Sequence, residues 1–187
     1  LIILTPEQGS LQMELDLHRA VTACPGFSRL QVLSFRRLAW RVLQEAGGAA
    51  RAHLGEMGKR MALRSVLINR QQDLTLFGPL ANNPGFIEQL AHTVAELKLY
   101  RVEPAALEQA LDLCRRTGRE DTVLGRKLHD LSLIYNELEA YLAGRYLDPD
   151  DYLGLLAQQL PQASFIKGGM VWVDGFNGFT PQEEAVL

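Results

Sequence analysis

The sequence predicts an α/β fold in which a parallel-sheet layer is interrupted by a large helical insertion, so that the chain is mostly helical overall. Strand and helix patterns alternate through the first 50 of the 187 residues, which is typical of a parallel α/β layer. From about residue 51 to 165 helix signals follow one another without a convincing strand. An apolar strand pattern then returns at 170–173, so the helical block is expected to lie within one α/β layer.

The first strand and helix are predicted from an apolar start and a helix-capping pattern. Residues 1–4 (LIIL) have the composition of a short buried strand. Thr5 followed by Pro6 is a typical helix start, with the threonine as N-cap and the proline in the first turn. The helix is expected to run to about Ala20 and to be broken at 24–26 (CPG).

A second strand and helix follow in the same order. Residues 31–33 (QVL) predict a short strand, and Ser34 is expected to cap the helix after it. Gly47 and Gly48 are expected to end this helix. Apolar side chains at helical spacing predict its buried face: Phe35, Leu38, Val42 and Leu43.

The helical block contains several clear helix starts, at Asn83-Pro84, at Glu103-Pro104 and at 148–151 (DPDD). Its longest helix is predicted at about 121–146. Leucine and tyrosine side chains spaced four and three apart form a heptad seam along it: Leu124, Leu128, Leu131, Tyr135, Leu138 and Leu142. This seam either packs against helices of the same chain or forms a coiled coil with a partner.

The α/β pattern returns near the end of the sequence. Residues 170–173 (MVWV) predict an apolar strand that ends in Asp174, and Thr180 to Glu183 form a helix-capping box. The predicted domains are therefore an α/β segment at 1–50, a helical insertion at 51–168, and a return to the α/β segment at 169–187.

Composition excludes several protein classes. Hydrophobic residues make up 47% of the chain, but no apolar run approaches the ~20 residues of a membrane span. Two cysteines, Cys24 and Cys114, are too few for a disulfide framework or a four-cysteine zinc site, so a cytoplasmic protein is expected. The apolar start without Met and the helical pattern at the end predict a piece of a longer chain.

Charge is distributed unevenly along the chain. The net charge of −3 argues against a general nucleic-acid binder. Residues 29–70, however, carry nine basic and two acidic side chains, so this segment is +7 and the remainder is −10. Either the segment forms an electropositive face for a polyanion, or its cations pair with carboxylates elsewhere in the chain.

No complete active site is evident. Asp174 at the end of a strand is placed where nucleotide hydrolases hold Mg²⁺, but Gly175 stands where a glutamate normally handles the attacking water. The alternative for Asp174 is a structural role in the turn. No phosphate-binding loop occurs, and 55–60 (GEMGKR) fits a helix start better. The four histidines are scattered and predict no metal site.

Three segments resemble, in order, the motifs of superfamily 1 helicases. Residues 1–15 (LIILTPEQGSLQMEL) are similar to motif Ia, and 33–43 (LSFRRLAWRVL) to motif Ib. Residues 173–180 (VDGFNGFT) resemble a degenerate Walker B motif of the type VDEFQD. The combination with TPEQ, LSFRRLAWRVLQEAGG, ELKLY at 96–100 and VDGFNGFTPQE resembles the AddB family over essentially the whole chain.

The resemblance implies part of a RecA-like helicase domain (1A) with a 1B-like helical insertion, in a subunit that does not drive unwinding. In this family the B subunit works with an AddA-type helicase–nuclease subunit on double-strand ends and scans the emerging strand for the Chi signal. ATP with Mg²⁺ and an iron–sulfur cluster are implied for the full-length subunit, and no cofactor is expected within this chain.

The resemblance also implies which residues contact single-stranded DNA. Motifs Ia and Ib of related helicases touch phosphates, which transfers to Thr5, Ser34 and Phe35 here. Arg36, Arg37 and Arg41 follow at once and join the expected DNA-binding set, although Arg41 could instead pair with Glu45 one turn away. Thr5 and Ser34 could equally be ordinary helix caps.

Two other function classes stay open at the level of sequence. One is a working ATP-dependent DNA helicase whose phosphate loop lies upstream, in which Asp174 would hold Mg²⁺. The other is a protein–protein scaffold in which the heptad seam docks a partner chain and nothing binds DNA.

Overall fold

A computed structural model describes residues 1–20, 29–46 and 51–187 of the chain. The predicted helix breaks at 24–26 and 47–48 lie outside the described residues. The chain divides into two compact units, here called the sheet unit (Leu1–Ala50 with Asp151–Leu187) and the helical unit (Arg51–Asp150). It is mostly helical with a small parallel sheet, in agreement with the predicted α/β class.

The strands of the described residues form two separate sheets. They are β1 (Ile2–Leu4), β2 (Gln31–Leu33), β3 (Ala52–His53), β4 (Tyr146–Leu147) and β5 (Val171–Val173). The sheet unit holds three of them in the order β2-β1-β5. All three are parallel, as predicted, whereas the sequence analysis gave no strand order. The helical unit holds a parallel pair, β3 with β4, which the sequence analysis missed. Two residues are too few to produce an alternating pattern.

Eight α-helices are present in the described ranges. They are α1 (Ser10–Ala20), α2 (Phe35–Ala46), α3 (Glu56–Asn69), α4 (Pro84–Leu99), α5 (Pro104–Arg116), α6 (Val123–Leu142), α7 (Tyr152–Gln159) and α8 (Pro181–Glu184). Helices α4 and α8 are capped as predicted. The Asn83 side chain accepts a hydrogen bond from the backbone N–H of Phe86 at 3.2 Å, and Thr180 forms a capping box with Glu183. None of these helices is long and apolar enough to cross a membrane.

In the sheet unit, helix α2 packs against α7 through the face that the sequence predicts. Leu38, Val42 and Leu43 are buried on α2, and Leu156 of α7 is fully buried. Residues 151–168, assigned from sequence to the helical insertion, therefore lie in the sheet unit. The 149–151 segment forms a short 3₁₀ turn before α7 begins.

Strand β5 has a different environment from the other two strands of its sheet. It pairs with β1 on one side only, at the edge of the described sheet. Its side chains are exposed although the sequence is apolar, with Val171 44%, Trp172 62% and Val173 39% accessible. Strand β1, which pairs on both sides, buries Ile2 and Leu4.

The helical unit has a continuous core of its own, formed mainly by α3, α4 and α6. Leu63, Leu67, Val94, Ile134 and Leu138 are fully buried within it. The interior face of each helix repeats at three- and four-residue spacing, as expected for helices that pack against one another.

The heptad seam of α6 faces this core. Tyr135, Leu138 and Leu142 are buried, and Leu128 and Leu131 pack against the core while partly buried. Leu124, in the first turn of α6, is 61% exposed. The seam is therefore used within the chain over most of its length, which matches the interpretation that it packs against neighbouring helices.

Two buried lysines in the helical unit share one buried carboxylate. Asp148 lies 2.9 Å from the Nζ of Lys98 and 3.3 Å from the Nζ of Lys59, and all three side chains are at most 5% exposed. Lys59 also bonds to Asp150, and Lys98 lies 2.8 Å from Glu139. Burial works to raise the pKa of Asp148, but the charges of Lys98 and Lys59 outweigh it, so the pKa lies below its usual range.

A second buried carboxylate, Asp130 of α6, anchors the loop between α3 and α4. It accepts the backbone N–H groups of Thr75, Leu76 and Phe77 at 2.7–2.8 Å, and lies 3.0 Å from His129 Nδ1. Burial works to raise the pKa of Asp130, but these hydrogen bonds outweigh it and the pKa is lowered. The loop thus depends on an ionised side chain.

Candidate nucleic-acid interface

The carboxyl ends of the three parallel strands bring together residues that are far apart in sequence. Thr5 follows β1, Ser34 follows β2 and Asp174 follows β5. The backbone N–H of Thr5 donates to the carbonyl of Leu33 at 3.0 Å, and that of Asp174 donates to the carbonyl of Leu4 at 2.9 Å. Three of the residues singled out from the sequence are therefore neighbours along one edge of the sheet.

Ser34 is the N-cap of α2, as its position before the helix predicts. Its side-chain oxygen accepts the backbone N–H of Arg37 at 3.2 Å. The same hydroxyl donates to the carboxylate of Glu7, a contact that the sequence analysis missed. No sequence signal links these two positions, because they are 27 residues apart and meet only through the pairing of β1 and β2.

Thr5 is not a helix cap. It continues from β1 through its backbone bond to Leu33, and the chain forms a 3₁₀ turn at Glu7–Gly9 before α1 begins. The predicted cap was wrong because the first helical turn begins only at Glu7, with Pro6 rather than Thr5 at its N-cap position. The Thr5 hydroxyl is buried and has no hydrogen-bond partner among the described residues.

The ring of Phe35 lies inside the sheet unit. It meets Phe176 edge-on with ring centroids 5.4 Å apart, and Phe179 at 6.3 Å, and Phe35 is only 5% exposed. The ring of Phe35 is thus occupied by packing, although the sequence resemblance includes it among the DNA contacts. Phe176 and Phe179 each follow a glycine in the segment 173–180. The sequence analysis did not identify them as packing partners of Phe35.

The three arginines of α2 have different surroundings. Arg36 is exposed and has no hydrogen bond or ion pair with the described part of the chain. Arg37 is also exposed, 3.6 Å from Glu14 of α1. Arg41 is half-buried. It donates a hydrogen bond to Gln31, and its guanidinium lies 4.3 Å from the centre of the Phe165 ring.

The alternative pairing of Arg41 with Glu45 is not what the structure shows. Glu45 instead accepts the backbone N–H of Ser164 at 2.8 Å. Hydrogen bonds from Ser164 lower the pKa of Glu45, with Arg41 contributing a smaller electrostatic effect. Arg37 and Arg41 line a cleft of about 450 Å³ that runs along β2 and also includes His18.

The part of the basic segment from residue 51 onward belongs to the helical unit, where three of its five cations meet acidic partners. Arg60 lies 2.8 Å from Glu88, Arg70 bonds to Glu137, and Lys59 is in the buried cluster with Asp148. Lys59 also stands in the first turns of α3, which confirms that 55–60 is a helix start. The +7 segment is therefore divided between two units, and much of its charge is paired.

The turn after β5 is built around a glycine conformation. Gly175 has φ of +79°, a region that glycine adopts readily, and a Cβ there would lie 3.4 Å from the Cδ of Pro6. A side chain at this position would be strained. The described residues also contain no group of three or more potential metal-ligating side chains, and a contact between Asp174 and Mg²⁺ stays a prediction.

Comparison with known proteins gives one consistent family. The family model described as "ADDB, N-terminal" matches residues 1–187. Proteins named as the B subunit of an ATP-dependent helicase/deoxyribonuclease are 74% identical in Moorella thermoacetica and 52% identical in Desulforudis audaxviator, over the whole of this chain. The chain spans 16% of the length of each of these relatives. The chain therefore belongs to the AddB family and matches its N-terminal region.

Proposed function

We propose that this chain is the inactive helicase-like region of the B subunit of an ATP-dependent helicase–nuclease, and that it binds single-stranded DNA. In this proposal the sheet unit is part of a RecA-like domain and the helical unit is its 1B-like insertion. Binding would take place while the enzyme processes double-strand ends and recognises Chi in recombinational repair, together with an AddA-type subunit. The names of the relatives, which describe the B subunit of a helicase/deoxyribonuclease, support this setting.

The observation that carries the proposal is the amino-terminal turn of α2 at the carboxyl edge of the sheet. Arg36 and Arg37 are exposed there, directly after the N-cap Ser34. The first backbone N–H groups of a helix have no partner within the helix and favour an anion such as phosphate. Two exposed guanidinium groups beside this terminus provide further hydrogen-bond donors for a phosphate. Because the Phe35 ring is buried, we assign its contribution to the backbone.

The inactive character is supported by the conformation of Gly175. Its left-handed backbone disfavours the glutamate that would activate water, independently of the resemblance to a degenerate Walker B motif. ATP with Mg²⁺ and an iron–sulfur cluster remain predictions for the complete subunit. Cys114 is buried in α5, and the described residues contain no group of three or more potential metal-ligating side chains that it could join.

The proposal is tested by titrating a labelled oligothymidylate with the chain and following fluorescence anisotropy at about 50 and 200 mM salt. We expect saturable binding that weakens with salt, and a loss of about tenfold or more when Arg36 and Arg37 are both changed to glutamate. The matched control is Arg115→Glu with Arg116→Glu, the adjacent arginine pair that ends α5 in the helical unit.

The control pair carries the same change in net charge but lies at the opposite end of a helix. Equal losses in the two double variants would mean that only net charge matters and would remove the α2 terminus from the proposal. Absence of binding at the lower salt concentration would contradict DNA binding by this chain altogether.

A further inference from the structure

The amino-terminal end of α2 already holds a carboxylate of the same chain. Glu7 accepts a hydrogen bond from the hydroxyl of Ser34, and that hydroxyl also caps the backbone N–H of Arg37. The helix is 12 residues long, so its amino-terminal end carries the partial positive charge that attracts anions. The carboxylate of Glu7 thus stands beside the groups to which a phosphate would bind.

Thr5, the residue that lies next to Ser34 across the β1–β2 pair, has a hydroxyl without a partner among the described residues. Thr5 is 2% exposed, and its Oγ1 makes no hydrogen bond with the described residues. Its backbone N–H is bonded to Leu33, the residue before Ser34, so the two hydroxyl-bearing residues are neighbours at this edge. A buried hydroxyl without a partner is unfavourable, and an oxygen of a bound phosphate would supply the missing acceptor.

The surrounding charges are suited to an exchange of anions. Glu7 is exposed, as are Arg36 and Arg37, whereas Ser34 and Thr5 are buried. A carboxylate on an exposed side chain can leave the site without opening the core. A phosphate that replaced it would gain the two guanidinium groups. Among the described residues, that of Arg37 lies 3.6 Å from a carboxylate oxygen of Glu14, and that of Arg36 has no acidic partner.

We infer that Glu7 is a displaceable internal anion that competes with a DNA phosphate for the amino-terminal end of α2. In the free chain it holds Ser34, and in the DNA complex a phosphate takes its place. Glu7 therefore lowers the affinity of the site for DNA, because a phosphate must first displace the Glu7 carboxylate. This inference rests on the proposed function, because it concerns the same binding edge.

The test compares Glu7→Gln with the unchanged chain in the oligothymidylate titration. Glutamine keeps the shape of the side chain and still accepts a hydrogen bond from Ser34, so the fold is retained while the competing charge is lost. We expect binding to tighten by about two- to fivefold, the range for one charge at a helix terminus. Glu184→Gln, an exposed carboxylate of α8 in the same unit, is the control for net charge and is expected to leave the affinity unchanged.

A double variant separates direct competition from a general effect of charge. If Glu7 acts through Ser34, Glu7→Gln should give a smaller gain in a Ser34→Ala background than in the parent chain. An equal gain in both backgrounds, or no gain in the parent, would overturn the role of Glu7 while DNA binding itself stands. If neither the parent nor Glu7→Gln binds the oligonucleotide at low salt, the proposed function fails together with this inference.

Discussion

Within the basic segment at 29–70, the cations paired with carboxylates lie in the helical unit, and the exposed pair Arg36 and Arg37 lies in the sheet unit. In the helical unit Lys59, Arg60 and Arg70 are held by carboxylates, of which Asp148 is deeply buried. In the sheet unit Arg36 is exposed without a protein partner among the described residues, and Arg37 is exposed beside one carboxylate. Positive charge in a sequence therefore becomes a candidate binding surface only where the fold leaves it without an acidic partner.

Among the substitutions that test this comparison, Asp148→Ala is expected to have the largest effect on the free energy of unfolding. This change leaves the buried ammonium groups of Lys59 and Lys98 without their shared counter-charge, and we expect a loss of about 3–5 kcal/mol in the free energy of unfolding. Urea unfolding followed by far-UV circular dichroism measures it.

The matched control is Asp174→Ala in the sheet unit, because Asp174 is exposed at the end of β5. Its effect should stay within about 0.5 kcal/mol. A loss for Asp148→Ala as small as that for Asp174→Ala would show that the helical unit does not depend on its buried charges, and the contrast between the units would be lost.

A comparable effect is expected from the core of the helical unit. Leu138→Ala opens a cavity at a fully buried position and should cost about 2–5 kcal/mol of unfolding free energy. Leu124→Ala, on the same predicted seam but 61% exposed, should change it by less than about 0.5 kcal/mol. A large loss at Leu124 would mean that the whole seam, including its first turn, is buried in solution.

A smaller decrease in the free energy of unfolding is expected when the pH is lowered. The pKa values of Asp148 and Asp130 are lowered in the folded chain, so these groups contribute stability that is complete above their unfolded pKa of about 4. That stability is lost as the pH falls through the folded values. Stability measured by urea unfolding between about pH 5 and 3 should therefore decrease, and less steeply in Asp130→Asn. An equally steep decrease in that variant would exclude Asp130 as a contributor.

Much of the fold follows from local sequence. The positions of the three strands, the cap of α2 by Ser34 and the helix starts at Pro84 and Pro104 are all as predicted, because each depends on neighbouring residues. Strands β3 and β4 were missed since two-residue strands carry no periodic signal. The boundary near 150 was not evident, because α7 is distinguished only by its packing against α2.

The candidate site was predictable only in part. The edge that joins Thr5, Ser34 and Asp174 follows from the parallel order of the strands. The roles of individual side chains do not, since they depend on long-range contacts: Glu7 with Ser34, and Phe35 with Phe176. Likewise, Lys59 meets Asp150 91 residues away, so its pairing could not be deduced from charge alone.

The central claim is that DNA meets the sheet unit at the carboxyl edge of its strands. Hydrogen–deuterium exchange of the chain with and without oligothymidylate tests it most directly. We expect added protection in peptides that cover Thr5 to Ser10 and Ser34 to Arg41, with α5 and α6 of the helical unit unchanged. Protection confined to the helical unit, with the α2 terminus unaffected at saturating DNA, would contradict the account.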